Sequence, residues 1–258
     1  MKRTLMITSL CVIATLPAFA QTSPQQADTK VPAAAKADAM PSVDQILDKY
    51  VQALGGKAAI EKVTSTLITG TFELPAMGMS GSLEIYAKAP NKNAIVINLS
   101  GFGLIQSGFN GTIAWSQDPQ SGLRELTGAE LADTKRDAEF HKDIKLKQVY
   151  PKMTLTGKDK VGERDAYVIE ATPADGKPEK MYFDTQTGLL LRRDIDRESP
   201  QGAAHVETYF EDYKETGGVK TPFTIKIVRP EISFTLKTTE VKQNVPIDDA
   251  KFNKPAAQ

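Results

Sequence analysis

Residues 181–198, Met181-Tyr-Phe-Asp-Thr-Gln-Thr-Gly-Leu-Leu-Leu-Arg-Arg-Asp-Ile-Asp-Arg-Glu198, hold the densest run of reactive side chains in the chain. They admit two readings, an active site or a β-hairpin. Thr187-Gly188 sits between two apolar stretches, and a glycine there permits the positive φ that a tight turn needs. Past the turn the side chains alternate: Asp194, Asp196 and Glu198 on one face, Arg193, Ile195 and Arg197 on the other. As a calcium loop the segment fails. No glycine stands at its sixth position, and His205 occupies the place of the bidentate glutamate. The segment is a hairpin, and the acids are read as a solvated face.

The same period of two recurs along most of the chain. Phe223, Ile225 and Ile227 share one face, as do Ile232, Phe234 and Leu236. Comparable runs occupy 66–74, 80–88, 94–100, 104–109, 112–116, 152–156, 166–171, 179–184, 189–194 and 203–213. Turn signals such as Asn110-Gly111, Asp175-Gly176 and Gly217-Gly218 separate them. About a dozen strands joined by tight turns predict a mainly β fold: one large antiparallel sheet, curled to limit its edges.

Two segments break the pattern. Ser42-Val-Asp-Gln45 is a capping box, followed by Val43, Ile46, Leu47, Tyr50, Val51 and Leu54 at helical spacing and stopped by Gly55-Gly56. This predicts an amphipathic helix laid over the sheet, with a further turn or two within 57–63. Thr127-Gly-Ala-Glu130 is a second capping-box pattern. It opens a charged insert, 127–147, which is either a flap over one end of the sheet or a solvated connection.

The N-terminus reads as export machinery. Lys2 and Arg3 precede an apolar run from Leu5 to Leu16, too short to span a bilayer, and Ala18-Phe-Ala20 offers a cleavage site. Residues 1–20 are therefore expected to be a signal peptide, 21–41 a flexible leader, and 42–258 the folded domain. The single cysteine, Cys11, lies inside the signal, and the bulky Leu10 before it argues against lipid attachment. With no cysteine after the signal, the domain is held by burial alone. Lys and Arg total 32, and Asp and Glu 32, so no cationic excess exists to neutralise nucleic acid.

Catalytic and metal motifs are missing. Two histidines without HExxH give zinc little to build on, and Gly-x-Ser-x-Gly, P-loop and dinucleotide fingerprints are absent. No catalytic residue, metal or cofactor is expected. Asp194 and Asp196 would be the candidates of a less favoured hydrolase reading. Two turns are unusually apolar: Leu74-Pro-Ala-Met-Gly-Met-Ser-Gly81 and Gly101-Phe-Gly-Leu-Ile105. Methionines at a barrel mouth suit contact with lipid chains. Met77, Met79, Phe102, Leu104, Trp115 and Phe140 are the candidate cavity or mouth residues.

The helix ending Ala53-Leu-Gly-Gly56, the Met77–Gly81 loop, Phe109-Asn-Gly-Thr-Ile-Ala-Trp115, Tyr182-Phe-Asp-x-x-Thr-Gly-Leu189 and Asp212-Tyr-x-x-x-x-Gly-Val219-Lys-Thr-Pro222 together resemble the outer-membrane lipoprotein-sorting family. That resemblance spans Ser42 to about Phe252. It implies a half-open β-barrel of eleven strands whose concave face is covered by helices around an apolar cavity. It also implies a periplasmic carrier of lipids, acyl chains or acylated proteins, with a transient membrane-associated partner. The alternative is a non-catalytic scaffold whose barrel is filled by its own side chains.

Overall fold

The computed structural model describes residues 40–199 and 202–256. The expected signal peptide and all but the end of the leader lie outside the described residues.

Helix α1 (Val43–Ala53) begins at the predicted capping box. Gln45 N–H donates to Ser42 Oγ (3.2 Å), and Ser42 N–H donates to Gln45 Oε1 (2.8 Å). After Gly55-Gly56 comes the short α2 (Lys57–Glu61). Six strands follow: β1 (Ser65–Leu74), β2 (Met79–Lys88), β3 (Lys92–Leu99), β4 (Gly103–Phe109), β5 (Ala114–Asp118) and β6 (Gly122–Glu125). The insert forms α3 (Gly128–Ala138) and α4 (Leu146–Val149). Seven more strands complete the chain: β7 (Lys152–Val161), β8 (Arg164–Thr172), β9 (Glu179–Asp184), β10 (Leu190–Ser199), β11 (Gly202–Thr216), β12 (Val219–Val228) and β13 (Ser233–Gln243).

All thirteen strands belong to one sheet, in the order β6-β5-β4-β3-β2-β1-β13-β12-β11-β10-β9-β8-β7. Every pairing is antiparallel. The count is thirteen against the eleven that the resemblance implied. The strand without a sequence signal is β6, four residues long with one large apolar side chain, Leu123. The sheet is not closed, since β6 and β7 end the order without pairing to each other. Helix α3 contacts β4 and β5 on one side and β10 on the other, so it spans the gap between two arms of the curl.

Two large apolar clusters lie on the inner face, beside a smaller one of Phe109, Ala114 and Ala138 under α3. One joins Ile46, Leu47, Tyr50 and Leu54 of α1 to Ile169, Met181 and Phe183 of β8 and β9. The other joins Phe72, Leu74, Leu83, Ile97 and Leu99 of β1 to β3. On the outer face the segment after β13 lies over β2 and β3, burying Ile247 and Phe252 against Tyr86 and Ala94.

The opening hairpin holds as predicted, and its turn is where α1 docks. Lys49 Nζ donates to the Thr185 carbonyl (2.8 Å). Gly188 has φ +78°, and a Cβ there would stand 2.7 Å from Lys49 Cγ, so the glycine serves both the turn and the close approach. The second capping box does not form. Thr127 makes no side-chain cap bond, and Glu130 instead accepts both Nη1 and Nη2 of Arg124 (2.8 and 2.7 Å).

Candidate functional site: an apolar cavity with a charged wall

Between the inner sheet face and the helices lies a cavity of about 430 Å³. Leu54 and Ile60 line it from the helical side, with Phe140 and Leu146 from the insert. Strand residues Ile85, Ala87, Met181, Phe183, Leu190 and Phe210 form much of the rest. The volume falls within the roughly 300–1,000 Å³ typical of small-molecule clefts.

The polar groups of the wall are mostly bound to one another. Tyr50 donates from its hydroxyl to Asp143 Oδ1 (2.7 Å), and Tyr213 donates to the Leu190 carbonyl (2.9 Å). Burial foremost, and Asp143 second, push the pKa of both tyrosines up, so they remain neutral donors. His141 Nε2 lies 2.9 Å from the Val63 carbonyl oxygen, which requires that nitrogen to carry a proton. Phe140 N–H donates to the Pro90 carbonyl (3.0 Å). These two bonds tie the segment after α3 to the other arm of the sheet.

One side of the cavity is ionic. Arg193 donates from Nε to Glu179 Oε2 (2.6 Å) and from Nη1 to Asp137 Oδ1 (2.9 Å). Glu179, whose side chain is fully buried, also accepts from Arg136 Nε (3.2 Å) and from the Tyr150 hydroxyl (3.0 Å). Asp137 takes two more cations, Lys142 (3.0 Å) and Arg197 (2.5 Å). Burial pushes the Asp137 carboxyl up, but Arg193, Lys142 and Arg197 outweigh it and hold the group well below the usual carboxylate range. Arg136 and Asp137 sit side by side at the end of α3, so this network fastens the helix to β9 and β10. Arg193 Nη2 and Thr221 Oγ1 are buried without a hydrogen-bond partner among the described residues.

The structure separates the six residues singled out from sequence. Phe140 lines the cavity. Met79 and Phe102 pack against the second inner cluster, at the opposite end of the strands. Met77 is exposed in the turn beside them, and Leu104 is exposed at the start of β4. Trp115 is buried on the outer face, donating from Nε1 to the Phe252 carbonyl (2.9 Å). Its ring lies against Gly108, where a Cβ would be 2.8 Å away.

Sequence reading missed Arg193, Asp137 and Glu179. A signal existed: Arg193 and Arg197 fall on the parity of β10 that pairs with inward-facing Met181 of β9. The opposite parity is the one read as solvated, and it is only partly so. Asp194 is buried, accepting from Arg192 Nε (2.6 Å), Arg192 Nη2 (2.8 Å) and the Tyr182 hydroxyl (2.9 Å), whereas Asp196 and Glu198 are exposed. Asp194, His205 and Glu207 are the one trio among the described residues with metal-ligand types close together. Arg192 already bridges both carboxylates, reaching Glu207 Oε1 at 2.7 Å, and His205 Nδ1 lies 2.7 Å from Asp196. The positive charge a cation would bring is supplied by the guanidinium, which stacks between the rings of Tyr182 and Tyr209.

No family model and no curated protein matches the chain. Solved structures do. A DUF1329 family protein from Desulfovibrio piger has TM-score 0.54 at 14% identity, over 82% of this chain and 97% of that one. A putative outer membrane lipoprotein-sorting protein domain from Vibrio parahaemolyticus has TM-score 0.54 at 13% identity, over 83% and 98%. A LolA superfamily protein from Nitrosomonas europaea has TM-score 0.51 at 15% identity, over 83% and 99%. The chain has the LolA-like fold. In that fold the cavity here lies between the curled sheet and the helices that cross its open side. No helix among the described residues is long and apolar enough to cross a membrane.

Proposed function

We propose that this is an exported, periplasmic protein that binds and carries a lipid, an acyl chain or an acylated protein, without catalysing a reaction on it. The observation that carries the reading is the cavity of about 430 Å³, walled largely by apolar side chains and roofed by α1 and the insert. A barrel filled by its own side chains would leave no such space, which disfavours the scaffold alternative. The LolA-like fold supports the same reading.

The driving force is partition. Each methylene taken out of water contributes roughly 0.8 kcal/mol, so a chain of a dozen carries on the order of 10 kcal/mol of gross stabilisation. Release then requires a roof that opens at moderate cost. The insert suits that role, because it is held by side-chain contacts, the ion pairs and hydrogen bonds above together with Ala138 and Leu146 packed on the sheet, rather than by the sheet ladder. Phe140 would contact the chain inside the cavity. Met79 and Phe102, with Met77 beside them, would meet whatever extends toward the far end of the strands. An acylated protein would leave its polypeptide outside, and delivery would involve a membrane-associated partner.

The test is organic extraction and mass spectrometry of protein purified without detergent from the compartment to which it is exported. A stoichiometric lipid or acylated peptide is expected. A blank from folded protein, repeated after incubation with phospholipid vesicles, would defeat the carrier reading.

A further inference from the structure

The apolar inner surface continues past the helices. Ile85 lines the cavity and also packs against the cluster of Phe72, Leu83, Ile97 and Leu99. Strand register puts these residues on one face: Leu83 pairs with Ile97, and Ile97 with Ile105. The apolar inner face thus runs on from the cavity to the β12–β13 turn. Phe234 forms it there, packed on Phe72 with ring centroids 5.1 Å apart.

Arg229 stands where this surface ends. Its backbone N–H donates to the Ile232 carbonyl (2.9 Å), and its guanidinium carbon lies 5.8 Å from the centre of the Phe234 ring. Among the described residues it forms no ion pair, not even with Glu231 two positions on. Arg229 is exposed to solvent. Even so, its pKa is pulled down, first by lost hydration and then by the charge of Arg197. Pairing of Arg197 with Ala204, and of Glu207 with Val228, puts both arginines toward the same end of the sheet, two strands apart. Arg197 is engaged on its α3 side by Asp133 and Asp137.

An exposed guanidinium that has no ion pair among the described residues and rests on an aromatic ring is free to take an anion. Arginine's planar fork matches the oxygens of a phosphate. We propose that Arg229, assisted by Arg197, binds the phosphate of a lipid headgroup whose acyl chains lie along this apolar surface and in the cavity. This deepens the carrier reading and rests on it.

The test measures direct binding of two pyrene-labelled lipids with identical chains, a diacylglycerol and a phosphatidic acid, to the purified protein. The phosphatidic acid is expected to bind about tenfold more tightly, as one charge-assisted contact allows. Arg229→Gln should erase that gap while leaving diacylglycerol affinity unchanged, and Arg229→Lys should retain part of it. Equal affinities in the unaltered protein, or a gap that survives Arg229→Gln, would overturn the headgroup site alone. Displacement of the phosphatidic acid by glycerol 3-phosphate or inorganic phosphate at similar concentrations would make it a site for soluble phosphate and overturn the lipid assignment. Failure of both labelled lipids to bind would remove the carrier reading, and this inference with it.

Discussion

Arg193 donates through Nε to Glu179 Oε2 at 2.6 Å while its Nη1 holds Asp137 of α3 at 2.9 Å. One guanidinium therefore joins the sheet to the helix that covers it. Because Glu179 has no exposed side-chain surface, it depends on Arg193, Arg136 and Tyr150 for all its polar partners.

Replacing Glu179 with alanine should lower global stability by about 3–5 kcal/mol, since it takes from Arg136 and Arg193 the buried carboxylate they share and leaves each with only its contacts to other acids. Urea unfolding followed by circular dichroism would measure the loss. A midpoint within error of the unaltered protein would mean that the network is not formed in solution.

The acid limb of stability should depend on Asp137. Its folded pKa lies well below the ordinary 3.8, so its contribution is complete above that value and is lost as pH falls through the folded pKa. Asp137→Asn should be less stable near neutrality. The difference from the unaltered protein should shrink steadily as pH drops from about 5 toward 2. Thermal melts across that interval test the sign, and a difference that widens on acidification would contradict it.

Filling the cavity separates folding from binding. Ala87 lines the space, and Ala87→Phe would place a ring inside it. Because the added atoms enter a void, the cost to stability should stay below the roughly 1–3 kcal/mol of overpacking a tight core. Binding of a fluorescent acyl probe should fall at least tenfold. Unchanged probe affinity in a folded variant would place the chain elsewhere.

The join between α1 and the sheet is testable at Gly55. Its φ is +122°, and a Cβ there would lie 2.0 Å from the Gly218 carbonyl oxygen. Lys220 N–H donates to the Leu54 carbonyl next to it (2.8 Å). Gly55→Ala should destabilise by more than about 1 kcal/mol, because strain and collision act together. Hydrogen exchange should locate the loosening in α1 rather than in β1 or β13.

Much of the fold was legible because its signals are local. Ser42 and Gln45 mark a helix start whatever lies around them, and Thr187-Gly188 marks a turn. The alternation from Phe223 to Ile227 survives in a half-buried strand. What escaped depends on partners distant in sequence. Nothing near Glu130 says that Arg124 will take its carboxylate from the cap. Nothing near Glu179 reveals that an insert 43 residues upstream supplies Arg136. Charge alone left 127–147 open to reading as a solvated connection, whereas three of its ten charged residues, Asp133, Arg136 and Asp137, pair with β9 and β10. Leu104 and Trp115 drew notice for size and for their turns, but which face each would take rests on pairings such as Gly108 with Trp115.

The strand order places the first and last strands, β1 and β13, side by side at the centre of the sheet and leaves β6 and β7 as its rims. The chain passes from one rim to the other once, through α3 and α4. The roof is thus a strap sewn to both rims rather than a door hung from one. With both ends anchored, the strap can only bow away from the sheet or follow its rims, so any change in the spacing of β6 and β7 is felt directly by the roof.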